Sequence, residues 1–195
     1  LFIFFPKYVP EIKLQFAGIV LCFIMSMFLN GENKVFIRLG LFITVISDYL
    51  ILLTKTDYVI SVFIFSFVHL IYGYKLYKEK SIKSMIYIRL GLFIITEIIM
   101  IFLFGFDLLL LVSTFYFINL LANCIHGVLN YKINLIFAVG IILFLLCDIF
   151  VGINNINEFI NIPQITFPIN FMWLFYFPSQ VLITLSIKEK LVNVS

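Results

Sequence analysis

The sequence predicts an all-α protein, a polytopic membrane helical bundle, and three observations carry that prediction. Of its 195 residues 64% are hydrophobic and 12% charged, with a mean hydropathy of +1.18, far outside the range of soluble domains. Stretches free of Asp, Glu, Lys and Arg cover 14–31, 58–74, 108–131, 133–147 and 159–187, and about 18 such residues suffice to cross hydrocarbon. These long runs do not alternate, which argues against the short strands of a closed barrel.

Seven helices follow in order. The first is the run 14–31, the third lies near 58–74 and the fifth over 108–131. The second, 39–54, becomes a span once Asp48 is admitted, the fourth, 90–106, once Glu97 is, and the sixth, 133–153, once Asp148 is. The last lies near 167–187. LFIFFP at 1–6 is too short to span and lacks the basic start and small-residue cleavage site of a secretory signal. Because the sequence opens without Met, an eighth helix is expected upstream in the full-length protein.

The loops between helices two and three, four and five, and five and six are only a few residues long, and no polar linker divides the chain. Residues 1–195 are therefore expected to form a single integral membrane domain. Two connections are longer, a basic one at 75–89 and NNINEFINIPQITFP at 154–168. The second mixes Asn with Ile and Phe, and it reads either as an interfacial lid or as a plain loop.

Basic residues set the orientation. Lys34, Arg38, Lys75, Lys78, Lys80, Lys83, Arg89, Lys132, Lys188 and Lys190 fall on one side as loop or terminal residues, against Lys7, Lys13 and Lys55 on the other. The richer side, including the C-terminus, is expected to face the cytoplasm of a multi-pass cell-membrane protein. The net charge of +3 then reports topology, and no nucleic-acid partner is implied. Cys22, Cys124 and Cys147 lie inside spans without metal or redox spacing, as small packing residues.

Polar side chains inside the spans are the candidates for chemistry. Asp48 and Asp148 each sit roughly 8 to 9 Å inside the outer ends of their helices. An acid in hydrocarbon opposes insertion by about 2.5 to 3.5 kcal/mol, so each should face the bundle interior. GLFITVISD at 40–48 and GIILFLLCD at 140–148 place a Gly eight residues before each Asp. That spacing puts Gly and Asp on nearly one face, where a small residue admits a close neighbour and the acid follows the same interface. Both helices run outward, so the two acids lie at similar depth.

In FVHLIYGY, His69 and Tyr72 share a face of the third helix. His69 is deeper than Asp48 by roughly 7 to 8 Å. Asn119, Asn123 and His126 form one polar stripe on helix five, and Trp173, Tyr176 and Gln180 a second on helix seven. Each of these groups has a structural alternative as interhelical hydrogen-bonding glue. Glu97 ranks below the two Asp because nothing repeats its setting. No serine elbow, metal-binding His pair or phosphate loop is present, which leaves acid and base work by carboxylates with help from His or Tyr.

From about residue 12 to residue 187 the chain resembles the YhhN family of membrane proteins, which includes the lysoplasmalogenases. The resemblance rests on GLFITVISDYLILL with VFIFSFVHLIYGYKL, on GIILFLLCDIF, and on WLFYFPSQVLITLS. Against the family pattern, Ser47 replaces Gly, Cys147 replaces a small Ser, and Lys13 is the nearest stand-in for a Lys-Pro pair. The resemblance implies eight helices and hydrolysis of the vinyl ether bond of lysoplasmalogens, giving a fatty aldehyde and a glycerophospho head group. It implies Asp48 and Asp148 as an acid-base pair assisted by His69, with Tyr72, Tyr176 and Gln180 lining the substrate site, to which the polar stripe of helix five is expected to add Asn119 and Asn123. The substrate it implies is a membrane lysophospholipid, and the implied chemistry calls for no metal or organic cofactor. The competing expectations are a proton-coupled small-molecule transporter and a non-catalytic lipid-binding membrane protein.

Overall fold

The computed structural model describes residues 11–54, 58–79, 81–155 and 169–189. The segment LFIFFP and most of the 154–168 connection lie outside the described residues. Within them the chain forms seven α-helices: α1 (Glu11–Phe28), α2 (Lys34–Asp48), α3 (Tyr58–Glu79), α4 (Ser84–Phe104), α5 (Leu108–Leu129), α6 (Leu135–Asn155) and α7 (Ile169–Leu185). A π-helical stretch, Tyr49–Thr54, continues α2 without a break, and a 3₁₀ turn, Ser186–Lys188, closes α7. Five helices, counting α2 with its extension, are long and apolar enough to cross a membrane; α1 is a shorter apolar helix.

Six of the helices close a ring. α1 packs on α2, α2 on α3, α3 on α5, α5 on α6, α6 on α7, and α7 returns to α1. The fourth helix stands outside, packed chiefly on α5, with Met85 and Glu97 as its buried residues. Tyr72, Leu41, Leu76, Phe137, Ile141, Phe144 and Ile183 fill the ring's interior, all fully buried. The turn between α4 and α5 is short because both ends are capped within it. Gly105 takes φ 80° after α4, a conformation open to Gly, and the Asp107 carboxylate accepts from the Leu110 amide at 2.8 Å.

Two sequence expectations need correction here. Lys34, Arg38, Lys75, Lys78 and Arg89 lie within helices, not in loops. The helices outrun the charge-free stretches because some of these cations find partners inside the protein. Arg38 donates to the carbonyls of Ser26, Met27 and Leu29 at 2.9–3.0 Å, taking up backbone acceptors that the end of α1 leaves open.

The second correction concerns the paired Gly and Asp. Both glycines do admit a close neighbour: a Cβ on Gly40 would overlap the Tyr72 ring, and one on Gly140 would lie 3.1 Å from the Ile183 amide nitrogen. The acids, however, do not follow them onto the same neighbour. Eight residues carry a helix about 80° beyond two full turns. Gly40 therefore faces α3 while Asp48 reaches α7, and Gly140 faces α7 while Asp148 reaches α5.

A polar knot ties the bundle at the end where α3 finishes. The fully buried Lys75 pairs with Glu79 at 3.0 Å, donates to Asn134 Oδ1 at 3.1 Å and lies 4.0 Å over the Phe137 ring. Glu79 in turn accepts from Asn33 and Asn134. Beside it the Glu189 carboxylate accepts from the Ile136 and Phe137 amides, the exposed donors at the start of α6. Partial burial pushes the Glu189 carboxyl above its ordinary range, and the two amide bonds oppose that shift.

Glu79→Gln leaves the Lys75 ammonium without its counter-charge, and the expected loss is about 3 to 5 kcal/mol of unfolding free energy in detergent. Adding Lys75→Met to Glu79→Gln should recover part of that loss. A double variant no more stable than the single one would show that the pair is not the lock. For packing, Gly140→Leu should destabilise by about 1 to 3 kcal/mol. Gly91→Leu, at a position with nothing within 4 Å of its would-be Cβ, should be silent in the same melting assay.

Candidate active site

Asp48 is the last residue of α2 before the backbone widens into its π-helical stretch, a distortion found frequently at functional positions. Its side chain is 6% exposed. The neighbouring Ser47 donates to the Ser61 carbonyl at 2.8 Å and pins this end of α2 against α3. Asp48 Oδ2 accepts a hydrogen bond from the Tyr176 hydroxyl at 2.6 Å. Asp148, half-buried on α6, accepts from the Tyr116 hydroxyl of α5 in a close contact.

Aromatic rings join the two acids. The His69 ring lies 4.8 Å from that of Tyr116 and 5.2 Å from that of Phe144, and Phe144 lies 5.3 Å from Tyr176. A path of touching rings thus runs from the phenol on Asp148, through His69 and Phe144, to the phenol on Asp48. The depth difference expected between His69 and Asp48 is spanned by these rings, with no direct hydrogen bond.

His69 is fully buried, and neither of its ring nitrogens has a hydrogen-bond partner among the described residues. The same holds for the Tyr72 hydroxyl, whose ring lies 6.4 Å from that of His69, and for Gln180 Oε1. Buried polar atoms are nearly always bonded in folded proteins, so each exception asks for a reason. Four of them on His69, Tyr72 and Gln180 mark this part of the ring interior as polar beyond the needs of packing.

Asn119 and Asn123 face Arg89 of α4. Both carbonyl oxygens accept from the guanidinium of Arg89, at 3.2 and 2.6 Å. The Asn123 amide donates to the His69 carbonyl at 2.8 Å. A cavity of about 310 Å³ opens beside Arg89, walled by α3, α4 and by His126 of α5. Glu97 is buried apart from these groups, and its Oε1 has no hydrogen-bond partner among the described residues.

Three residues of the site escaped sequence reasoning. Tyr116 lies three residues before Asn119 and simply extends its stripe by one more turn, a legible signal. Arg89 was counted as a topology marker, although it heads the second copy of RLGLFI at 89–94. Phe144 carries no signal, since one Phe among 25 is not distinguishable by pattern.

A ring of apolar helices enclosing two phenol-bound carboxyl groups and a buried His defines a polytopic membrane protein with a polar interior site. A model of the YhhN family matches residues 12–187, nearly the whole chain, and the protein belongs to that family. No curated protein and no solved structure matches it.

If the Tyr176 hydroxyl is bonded to Asp48 as described, a double-mutant cycle on Tyr176→Phe and Asp48→Asn should give a coupling of about 1 kcal/mol or more. The corresponding cycle between Tyr176→Phe and Glu97→Gln should give none. Equal couplings would overturn the assignment.

Proposed function

We propose that this protein is a hydrolase of the lysoplasmalogenase type, cleaving the vinyl ether bond of a lysophospholipid within the membrane. The observation that carries the proposal is the pair Asp48 and Asp148, each bonded to a neutral phenol and joined through the rings of Tyr116, His69, Phe144 and Tyr176. The chemistry needs an acid, a base and a shielded site. One carboxyl delivers its proton to the β-carbon of the enol ether, whose π electrons form the new C–H bond and leave an oxocarbenium ion. The other, ionised, faces that cation and takes a proton from the water that adds to it. The resulting hemiacetal gives its hydroxyl proton to the first carboxylate as its bond to the glyceryl oxygen breaks, the second carboxyl returns its proton to that oxygen, and the aldehyde departs. Two carboxyl groups divide the same labour in glycoside hydrolysis. Which Asp is acid and which is base stays open, and His69 relays or orients protons between them.

An exposed apolar bundle surface suits this substrate, since a lipid chain can approach between helices without leaving hydrocarbon. The bias of basic residues supports a cell-membrane location with the C-terminus cytoplasmic.

Purified protein given lysoplasmalogen should release fatty aldehyde. Asp48→Asn and Asp148→Asn should each lower the rate by about a hundredfold or more, the scale of a lost general acid or base. Folded wild-type protein that releases no aldehyde would end the proposal. The run of polar side chains from the acids to Arg89 also favours, as a second reading, a proton-coupled carrier. Proton uptake into proteoliposomes without aldehyde release would select it.

A further inference from the structure

We infer that Arg89 and the cavity beside it form a binding site for a phosphate ester, in the first instance the head-group phosphate of a lysophospholipid. The identity of the lipid rests on the proposed hydrolase reading, whereas the anion site rests on the geometry of Arg89.

Arg89 is half-buried in α4, and its guanidinium turns toward α5. Its acceptors among the described residues are the neutral oxygens of Asn119 and Asn123. Each Asn is fixed with that oxygen toward Arg89, because its amide group is bonded elsewhere, Asn119 to the Phe115 carbonyl at 2.9 Å and Asn123 to the His69 carbonyl at 2.8 Å. No carboxylate among the described residues pairs with Arg89: Glu79 is bound to Lys75, and Glu97 lies eight residues along α4, about 12 Å away by helical rise. A cation removed from water without a counter-charge is unfavourable unless something supplies one. Two of the five guanidinium N–H groups serve the asparagines, and the fork geometry of the remainder suits a phosphate.

The neighbouring helix makes room for this group. A Cβ on Gly73 would lie 2.6 and 2.9 Å from the two terminal guanidinium nitrogens, so α3 carries Gly where any side chain would displace Arg89. The cavity of about 310 Å³ begins there, with Arg89 and His126 among its lining residues and Leu70, Tyr74 and Ile86 as apolar walls. Leu70 and Ile86 are 40% and 46% exposed on the bundle surface, so the cavity meets the lipid-facing side. An anionic group on an apolar chain fits both halves of this lining.

Position links the site to the acids. Along α5, Asn119 and Asn123 stand three and seven residues from Tyr116, the phenol on Asp148. The axial separation is about 4.5 to 10.5 Å. A glycerol backbone, which separates the phosphate from the sn-1 ether oxygen by only a few bonds, has this scale. Measured along the bundle axis, a phosphate at Arg89 therefore lies about one glycerol length from the level of the Tyr116–Asp148 pair.

The test is binding to the full chain in alkyl maltoside micelles, which carry no phosphate. The probes are a hexadecyl ether lysophosphocholine, whose saturated ether is not cleaved, and hexadecylglycerol, which lacks the phosphate. Wild type should prefer the phosphate-bearing lipid by about tenfold or more. Arg89→Gln should lose that preference while still binding hexadecylglycerol, and Arg89→Lys, which keeps the charge without the fork, should fall between. Equal binding of the two lipids by wild type overturns the site, whether or not Arg89→Gln folds. A folded Arg89→Gln that keeps the preference overturns it as well. Competition by inorganic phosphate as strong as that by the lysolipid would support the anion site and name a soluble ester as its ligand; weak competition names the lipid. Because the probe is not hydrolysed, loss of aldehyde release alone counts against the hydrolase proposal and not against this site.

Discussion

In hydrocarbon a polar side chain has nothing to bond except the protein itself, and this constraint orders the whole chain. Helices satisfy the backbone internally. The side chains that remain polar must then be gathered into centres where they satisfy one another, and three such centres stand out among the described residues. The knot of Lys75, Glu79, Asn33 and Asn134 closes one end of the bundle. Arg89 and its two asparagines join α4 to α5. The phenol-bound Asp48 and Asp148 occupy the ring interior nearer the other end.

The ring of six helices follows from the same need. Between helices in lipid, apolar surface gains little by association, so close approach and interhelical hydrogen bonds carry the packing. Gly40 and Gly140 admit Tyr72 and the backbone of α7, which draws α2 to α3 and α6 to α7. The turn of each helix past its glycine then aims the Asp at a third helix. One interface thereby sets where the acid arrives at the next, and the two acids reach a common interior although their glycines face different neighbours. The π-helical stretch after Asp48 packs against α1 and α3.

Much of this was legible in the sequence. Hydropathy located the seven helices, because charge exclusion from a span is a strong rule. It misplaced their ends at Lys75 and Arg89, because a cation with an internal partner no longer marks a loop. Asp48, Asp148, His69 and Tyr176 stood out for the reason that a polar group in a span is conspicuous, and they do gather around one set of rings. Asn119 and Asn123 stood out equally, yet bond to Arg89 instead. A stripe on one helix tells which face is polar, but the partner across the interface depends on packing angles that no single-helix pattern contains. Phe144 shows the same limit from the apolar side: its role as the ring between His69 and Tyr176 is purely one of position.

The partners given to the buried charges separate structure from work. Lys75 is matched by a carboxylate, so that each group supplies the other's counter-charge, an arrangement that suits a lock. Asp48 and Asp148 are matched by phenols, which donate a hydrogen bond but bring no positive charge. A Lys or Arg in the place of Tyr116 or Tyr176 would satisfy each acid better as an ion and would hold it in that one state. A neutral donor leaves either state accessible, which a residue that must give up and regain a proton requires. Arg89 is matched by asparagines, which orient the guanidinium without neutralising it, so its charge remains available to an anion. The chain therefore uses an ion pair where it needs permanence and neutral partners at the three charges to which chemistry is assigned. That difference in partners, more than burial alone, distinguishes the proposed working groups from the knot that holds the bundle closed.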